Sequence, residues 1–298
     1  MHLVVEAEGS GTQAAMTPTG SAAPTMGKQN GLGSALLHRD FAHIVSERTK
    51  LFAPAALPAF ARTLTELAPL FGGADLEETL LPGIDPWLEL IVEPVSFDEG
   101  AQPELPLPAA AVVARLETGE VGEELISAFQ TIISLTNFEA ANAGRKAHRL
   151  TLALEGDVVI HLAKLPRPGP EEGVDMVYNL QPACAVVGDR FILATHEALV
   201  RELIRSGGAP VERPSATRER LRIDGVGVAR VLQANFDALV MNKVVSDGVE
   251  IEEARAEIGG LVGLVDLLGT LEVEIDRSTD ERVAVRIVSR ASGAKHGR

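Results

Sequence analysis

The chain has 298 residues, 46% of them hydrophobic and 23% charged, which is enough apolar side chain to fill one or two ordinary cores and excludes a wholly disordered protein. Its 27 basic and 42 acidic residues leave a net charge of −15 and aromatics are only 4%, so the surface repels phosphate backbones and offers few stacking platforms, which excludes nucleic acid as a partner. A single cysteine, Cys184, rules out an internal disulfide framework and a zinc site of paired thiolates, and no apolar run is long enough to span a membrane.

Leu3-Val4-Val5-Glu6-Ala7 reads as the end of a strand, and residues 9–33 are almost all small or polar, a flexible segment with no face to bury. Residues 1–33 hold no basic region followed by an apolar core, so no secretory signal is read there. The expectation is that 1–33 is the remnant of a longer upstream region. From Ser34 the spacing of Leu36, Leu37, Phe41, Ile44, Val45 and Arg48 predicts a helix. A second helix starts near Pro58, carries Phe60, Leu64, Leu67 and Phe71, and stops at Gly72-Gly73. Asp75 caps a short turn with Glu77 and Glu78 placed near a positive helix end.

Trp87–Val92 and Ala110–Leu116 are strand-like, joined by a connection containing Pro94, Pro103, Pro106 and Pro108. A helix is expected over 121–137. Residues 149–163 alternate as a hairpin about Glu155-Gly156-Asp157. Three short strands follow, at Val177–Leu180, Cys184–Val187 and Phe191–Ala194, and then a helix capped by Thr195. Leu221–Asp224 is a strand, 226–243 and 250–268 are helices, and 271–275 with 283–289 form a last hairpin about Ser278-Thr279-Asp280. The stripe Ile251, Ala254, Ile258, Leu261, Val265, Leu268 is expected to bury against a sheet.

Hairpins separated by helices, without strict βαβ alternation, predict an α+β fold: mainly antiparallel sheet built from hairpins and covered on one face by amphipathic helices. An α+β domain over 34–210 and a smaller unit over 211–298 packed on it are the expected divisions.

The block Ala185-Val186-Val187-Gly188-Asp189-Arg190-Phe191-Ile192-Leu193-Ala194-Thr195, followed by Ala198-Leu199-Val200-Arg201-Glu202-Leu203, resembles an uncharacterised bacterial family known only as domains of unknown function. The shared features are a strand, a Gly-Asp-Arg turn, a second strand, a Ser/Thr cap and a short helix, and the resemblance extends across Trp87–Val288. It implies an extracytoplasmic location, periplasmic or secreted, and transfers no catalytic residue.

Compact catalytic motifs are missing. His38 and His43 are five apart, off a shared helix face, where zinc pairs sit four apart; both read as exposed polar positions. His161 on a strand and His196 at a helix start read as structural. Asp224-Gly225-Val226-Gly227 follows a strand and opens a helix, yet Arg230 stands where a dinucleotide site needs its third glycine, so Asp224 is read as a cap. Cys184 lies among Ala183, Ala185 and Val186, an apolar setting that makes a thiol inert. Arg213, Arg218, Arg220 and Arg222 alternate with other residues as a solvated face. Between Glu66 and Glu124 fourteen acids face Arg115 alone, a charge that serves solubility.

No metal site and no cofactor are expected. The reading is a noncatalytic envelope or extracytoplasmic protein that binds a protein partner or an apolar ligand in a groove on the open sheet face, with Trp87 or Tyr178 at its mouth and His161 as a further candidate contact. The alternative is an enzyme, a hydrolase for instance, whose dispersed site joins distant acids to His161 or His196.

Overall fold

The computed structural model describes residues 2–8, 31–97, 103, 105–166, 178–206, 218–279 and 282–290. The strands are β1 (His2–Glu8), β2 (Gly33–His38), β3 (Ile84–Glu93), β4 (Ala109–Leu116), β5 (Arg149–Glu155), β6 (Val158–Lys164), β7 (Ala183–Val187), β8 (Arg190–Ala194), β9 (Arg218–Asp224), β10 (Thr270–Thr279) and β11 (Arg282–Arg290). They form one sheet in the order β1-β11-β10-β9-β2-β3-β4-β8-β7-β6-β5, with every ladder antiparallel. The helices are α1 (Phe41–Ser46), α2 (Arg48–Leu51), α3 (Leu57–Leu67), α4 (Gly119–Asn142), α5 (Glu197–Ser206), α6 (Gly225–Ala234), α7 (Phe236–Asp247) and α8 (Ile251–Leu268). This is the α+β class with antiparallel hairpins that the alternation predicts.

Local chemistry sets the tight turns. Gly156 between β5 and β6 and Gly188 between β7 and β8 have φ of 59° and 61°, the left-handed region that a side chain disfavours. Asp75 caps its turn as expected, its Oδ1 accepting from the Glu77 and Glu78 N–H groups at 2.9 Å. Cross-strand partners share a face, so the register divides the sheet between two layers. Ile91, Ala111, Val113, Ile160, Ala185 and Ile192 pack under Leu199, Val200 and Leu203 of α5 on one face. Leu116, Ala163, Cys184 and Phe191 pack under Val121, Phe129 and Ile133 of α4 on the other. Helical cover is therefore divided between both faces instead of confined to one. Glu155, in the β5–β6 turn, binds Arg201 and Arg205 of α5; those two guanidiniums hold its carboxyl down at about 2, and they pin the helix to the hairpin.

Several local readings are corrected. The helix expected from Ser34 begins at Phe41, and 33–38 is strand β2. Leu36 and His38 are buried on one face and Ala35, between Leu90 and Leu221, on the other, and a central strand with buried residues on both faces gives a run with no period of two. His38, read as exposed, is therefore core. Tyr178 lies in a turn, and Val177 is outside the described residues, as are 9–30, most of the 166–173 loop and Asp280. Thr195 does not cap α5: its hydroxyl accepts from the Ala110 N–H of β4, and the His196 ring accepts from the Ala198 N–H. The helix over 226–243 breaks at Asn235 into α6 and α7. Helix α8 packs on α6 and α7 instead of the sheet, and Leu261 and Leu268 of its stripe stay exposed. Asp224 stands at the N-cap position of α6 as expected, but its side chain makes no cap bond. The Asp224-Gly225-Val226-Gly227 glycines serve packing, because a Cβ on Gly225 would meet the Val265 and Gly269 carbonyl oxygens at 2.5 and 2.6 Å. The units read as 34–210 and 211–298 share one sheet, because β2 pairs with β3 on one side and β9 on the other.

Ile192 has no exposed surface and sits in the centre of the α5-side core. Ile192→Ala is expected to cost about 2–5 kcal/mol, the range for emptying such a site. Urea unfolding followed by circular dichroism measures it, and a shift under 1 kcal/mol would contradict the packing described.

Candidate functional site

Where β3 ends, the chain crosses the end of the sheet as Pro94–Phe97 and later returns through Pro106–Pro108 into β4. Proline has a fixed φ and no N–H, so these stretches cannot join the ladder and their carbonyls need other partners. Two buried asparagines supply them. Asn179 accepts from the Leu107 N–H at 2.9 Å and donates to the Leu105 carbonyl at 2.6 Å. Asn235 donates to the Pro106 carbonyl at 2.9 Å and to Val231 at 3.0 Å, which ties the proline segment to the end of α6.

Between the pinned segments and α6 lies a groove of about 230 Å³, lined by Leu32, Pro94, Val95, Phe97, Pro106, Leu107, Pro108, Gly227, Arg230, Val231 and Ala234. Gly227 lets Leu32 approach, since a Cβ there would come within 2.7 Å of its Cδ2. Among the described residues Arg230 is the single titratable group in this lining, and it is exposed. Across Pro94 and Val95 a second concavity of about 500 Å³ opens against α5, where Glu93, Glu202 and Arg205 make the walls polar. Phe97 rests edge-on against the His196 ring, 6.0 Å between centroids.

The structure brings none of Trp87, Tyr178 and His161 together. Trp87 is buried on the α5-side face, its ring edge-on to His38 at 5.1 Å, so it is not at the mouth of an open face. Its Nε1 and both His38 ring nitrogens are buried with no hydrogen-bond partner among the described residues. Tyr178 is half-buried in the turn before β7. His161 lies on the opposite face beneath α4, where Gln130 Nε2 stands 3.2 Å from its Nδ1. Burial lowers the pKa of His161. His196 is also held below its ordinary value by burial, against smaller upward effects of a bond to the Tyr178 backbone and the Glu197 charge. No carboxylate bonds either ring among the described residues. These residues also hold no group of three or more His, Cys, Asp or Glu able to bind a metal ion, and no helix long and apolar enough to cross a membrane. Cys184 is buried, and burial pushes its thiol up to about 12.

The α4 face is the more open one. The register aligns Leu221, Ala35, Leu90, Val112, Leu193, Cys184, His161 and Leu152 in one row across β9, β2, β3, β4, β8, β7, β6 and β5, and Val273 and Ile287 extend it over β10 and β11. Leu90, Val112, Leu193 and Leu221 stand 37 to 39% exposed. On β9–β11 the reverse face is charged, with Arg220 and Arg286 on Glu274 and Arg290 on Glu272.

The proline connection is legible in the sequence, whereas the roles of Phe97, Arg230, Asn179 and Asn235 at the groove are not. Arg230 had shown itself only as the residue that spoils a glycine fingerprint. No family model matches the chain, and neither a curated protein nor a solved structure matches it.

Burial holds the pKa of His38 below 6.5, while Asp40, Glu219 and Asp85 pull it up less strongly. The unfolded chain then binds more protons than the folded one below pH 6.5, so this contribution to stability is present above that pH and is lost as the pH falls beneath it. His148, His161 and His196 act in the same direction. Urea midpoints at pH 7.5 and 5.5 are expected to fall with acid in the parent and to fall less in His38→Phe; equal losses in both would refute the assignment.

Proposed function

We propose that the protein is a noncatalytic binder of an amphiphile, an apolar chain ending in an anion, held in the groove between Pro94–Phe97, Pro106–Pro108 and α6. The observation that carries this reading is the composition of the groove: apolar walls fixed by two buried asparagines, with Arg230 as the one charge among the described lining residues. Apolar walls gain from displacing water, and a guanidinium gives an anionic head a forked pair of donors. In a chain of net charge −15 a cation beside an apolar groove also sets the orientation of such a ligand. The other described lining residues are apolar side chains and a glycine, a composition that suits binding more than turnover. A location outside the cytoplasm belongs to the same proposal and rests on the bacterial family that the Gly188-Asp189-Arg190 block resembles.

The test uses 11-(dansylamino)undecanoic acid and its methyl ester, followed by dansyl fluorescence. The acid is expected to bind roughly tenfold more tightly than the ester, the scale of one charge-assisted hydrogen bond. Arg230→Gln should erase that preference, and Ala234→Phe should weaken both ligands by filling the groove. Equal affinity of the parent for acid and ester, or binding untouched by Ala234→Phe, would overturn the reading.

A further inference from the structure

Helix α4 carries no charged residue between Glu124 and Glu139, in a chain that is 23% charged. A helix with one solvated face normally shows charges there, whereas the exposed positions of α4 in this stretch mix the uncharged Gln130, Ser134 and Thr136 with large apolar side chains. The sheet covers one side of α4, through Ala128, Phe129 and Ile133. Away from it Ile132 and Leu135 are about half exposed and Phe138 is 67% exposed. Beside α4 the open strip of the same face runs from Leu193 through Val112, Leu90 and Leu221 to Val273 and Ile287. Antiparallel sheets that face water on one side turn polar residues to it. On β9–β11 those polar residues are on the other face, so the strip is a buried-type surface that the described residues leave uncovered.

We propose that the occupant is a second copy of this chain, arranged about a two-fold axis so that α4 of each copy lies on the open strip of the other. Three features select a copy over an unrelated partner. A two-fold contact needs one surface carrying both complementary halves, and here helix and strip stand side by side on one face. Helix α4 sits off-centre, over β4, β7 and β8, so a rotation about an axis along the strands carries it over the partner's β9–β11. The described strand residues of that face include a single charge, Glu219, which is buried and paired with Arg39, so two chains that each carry −15 can approach closely there. Seven strands at about 4.8 Å spacing and three rows of side chains give about 600 Å² per copy, about 1,200 Å² for the pair, which reaches the size of a specific interface. The surface shares no residue with the groove, so this inference stands apart from the ligand proposed there.

Sedimentation equilibrium of the full chain from 1 to 100 µM, at 0.15 and 0.5 M NaCl, tests it. The expected mass is twice the 31.5 kDa of one chain at both salt concentrations. Phe138→Glu and Val112→Glu should each raise the dimer dissociation constant at least tenfold while the far-ultraviolet circular dichroism and urea midpoint of the monomer are retained. Leu267→Glu, on the exposed side of α8, should leave it unchanged. A parent that stays monomeric at 100 µM overturns the inference, as does a dimer indifferent to Phe138→Glu and Val112→Glu or dispersed by Leu267→Glu.

Discussion

Strand β2 is six residues long, and the two parts of the sheet meet at it. Its pairing with β9 stops at Leu36, yet the junction continues through a buried side chain: the Glu219 carboxylate accepts the His38 N–H at 3.0 Å and is paired with Arg39. Glu219 is 2% exposed, so it lies in a medium where an unpaired carboxylate would cost several kcal/mol and a paired, hydrogen-bonded one is tolerated. That requirement fixes which residues of β2 and β9 stand opposite each other. Because a slip of one residue would send every side chain to the wrong face, the register at this junction dictates the facing of β9, β10 and β11.

From that register comes the unequal character of the two faces. On the β3–β8 side both faces are apolar and both carry helices, α5 on one and α4 on the other. On the β9–β11 side one face is laced with Arg–Glu pairs and the other is apolar. The groove lies at the end of the sheet where the chain leaves the ladder at Pro94 and re-enters it at Ala109. Its walls are backbone that cannot pair in a sheet, and Asn179 and Asn235 are buried there because the carbonyls of that backbone had to be satisfied by something.

Much of this architecture is legible in the sequence wherever one face of an element meets water. Strand β6 shows its alternation and its glycine turn, and α4 shows its stripe, whereas the alternating Leu150, Leu152 and Leu154 of β5 are exposed. Strand β2 does not, because burial on both sides removes the period that separates strand from helix. Helix α8 shows that a stripe reports burial and not the identity of what buries it, for its partners are α6 and α7. The site was less readable. Asn179 acts on residues 72 and 74 positions away and Asn235 on one 129 away, and hydrogen bonds at such separations leave no local pattern. Trp87 and Tyr178 stand out as the single tryptophan and the single tyrosine, but rarity carries no information about where in a sheet a side chain lies.

The placement of β2 also governs how the chain matures as it is synthesised. Its first edge closes early, on β3, within sixty residues. Its other edge waits for β9, and His38 and Glu219 are separated by 181 positions. At a translation rate of roughly 5–20 residues per second this leaves an unpaired, apolar strand edge exposed for roughly ten seconds or more. Such edges recruit strands from neighbouring nascent chains. The outermost contact is slower still, since β1 pairs with β11. The N-terminal strands therefore wait longest for their last partners, a delay that comes from topology and not from any weakness of the finished core.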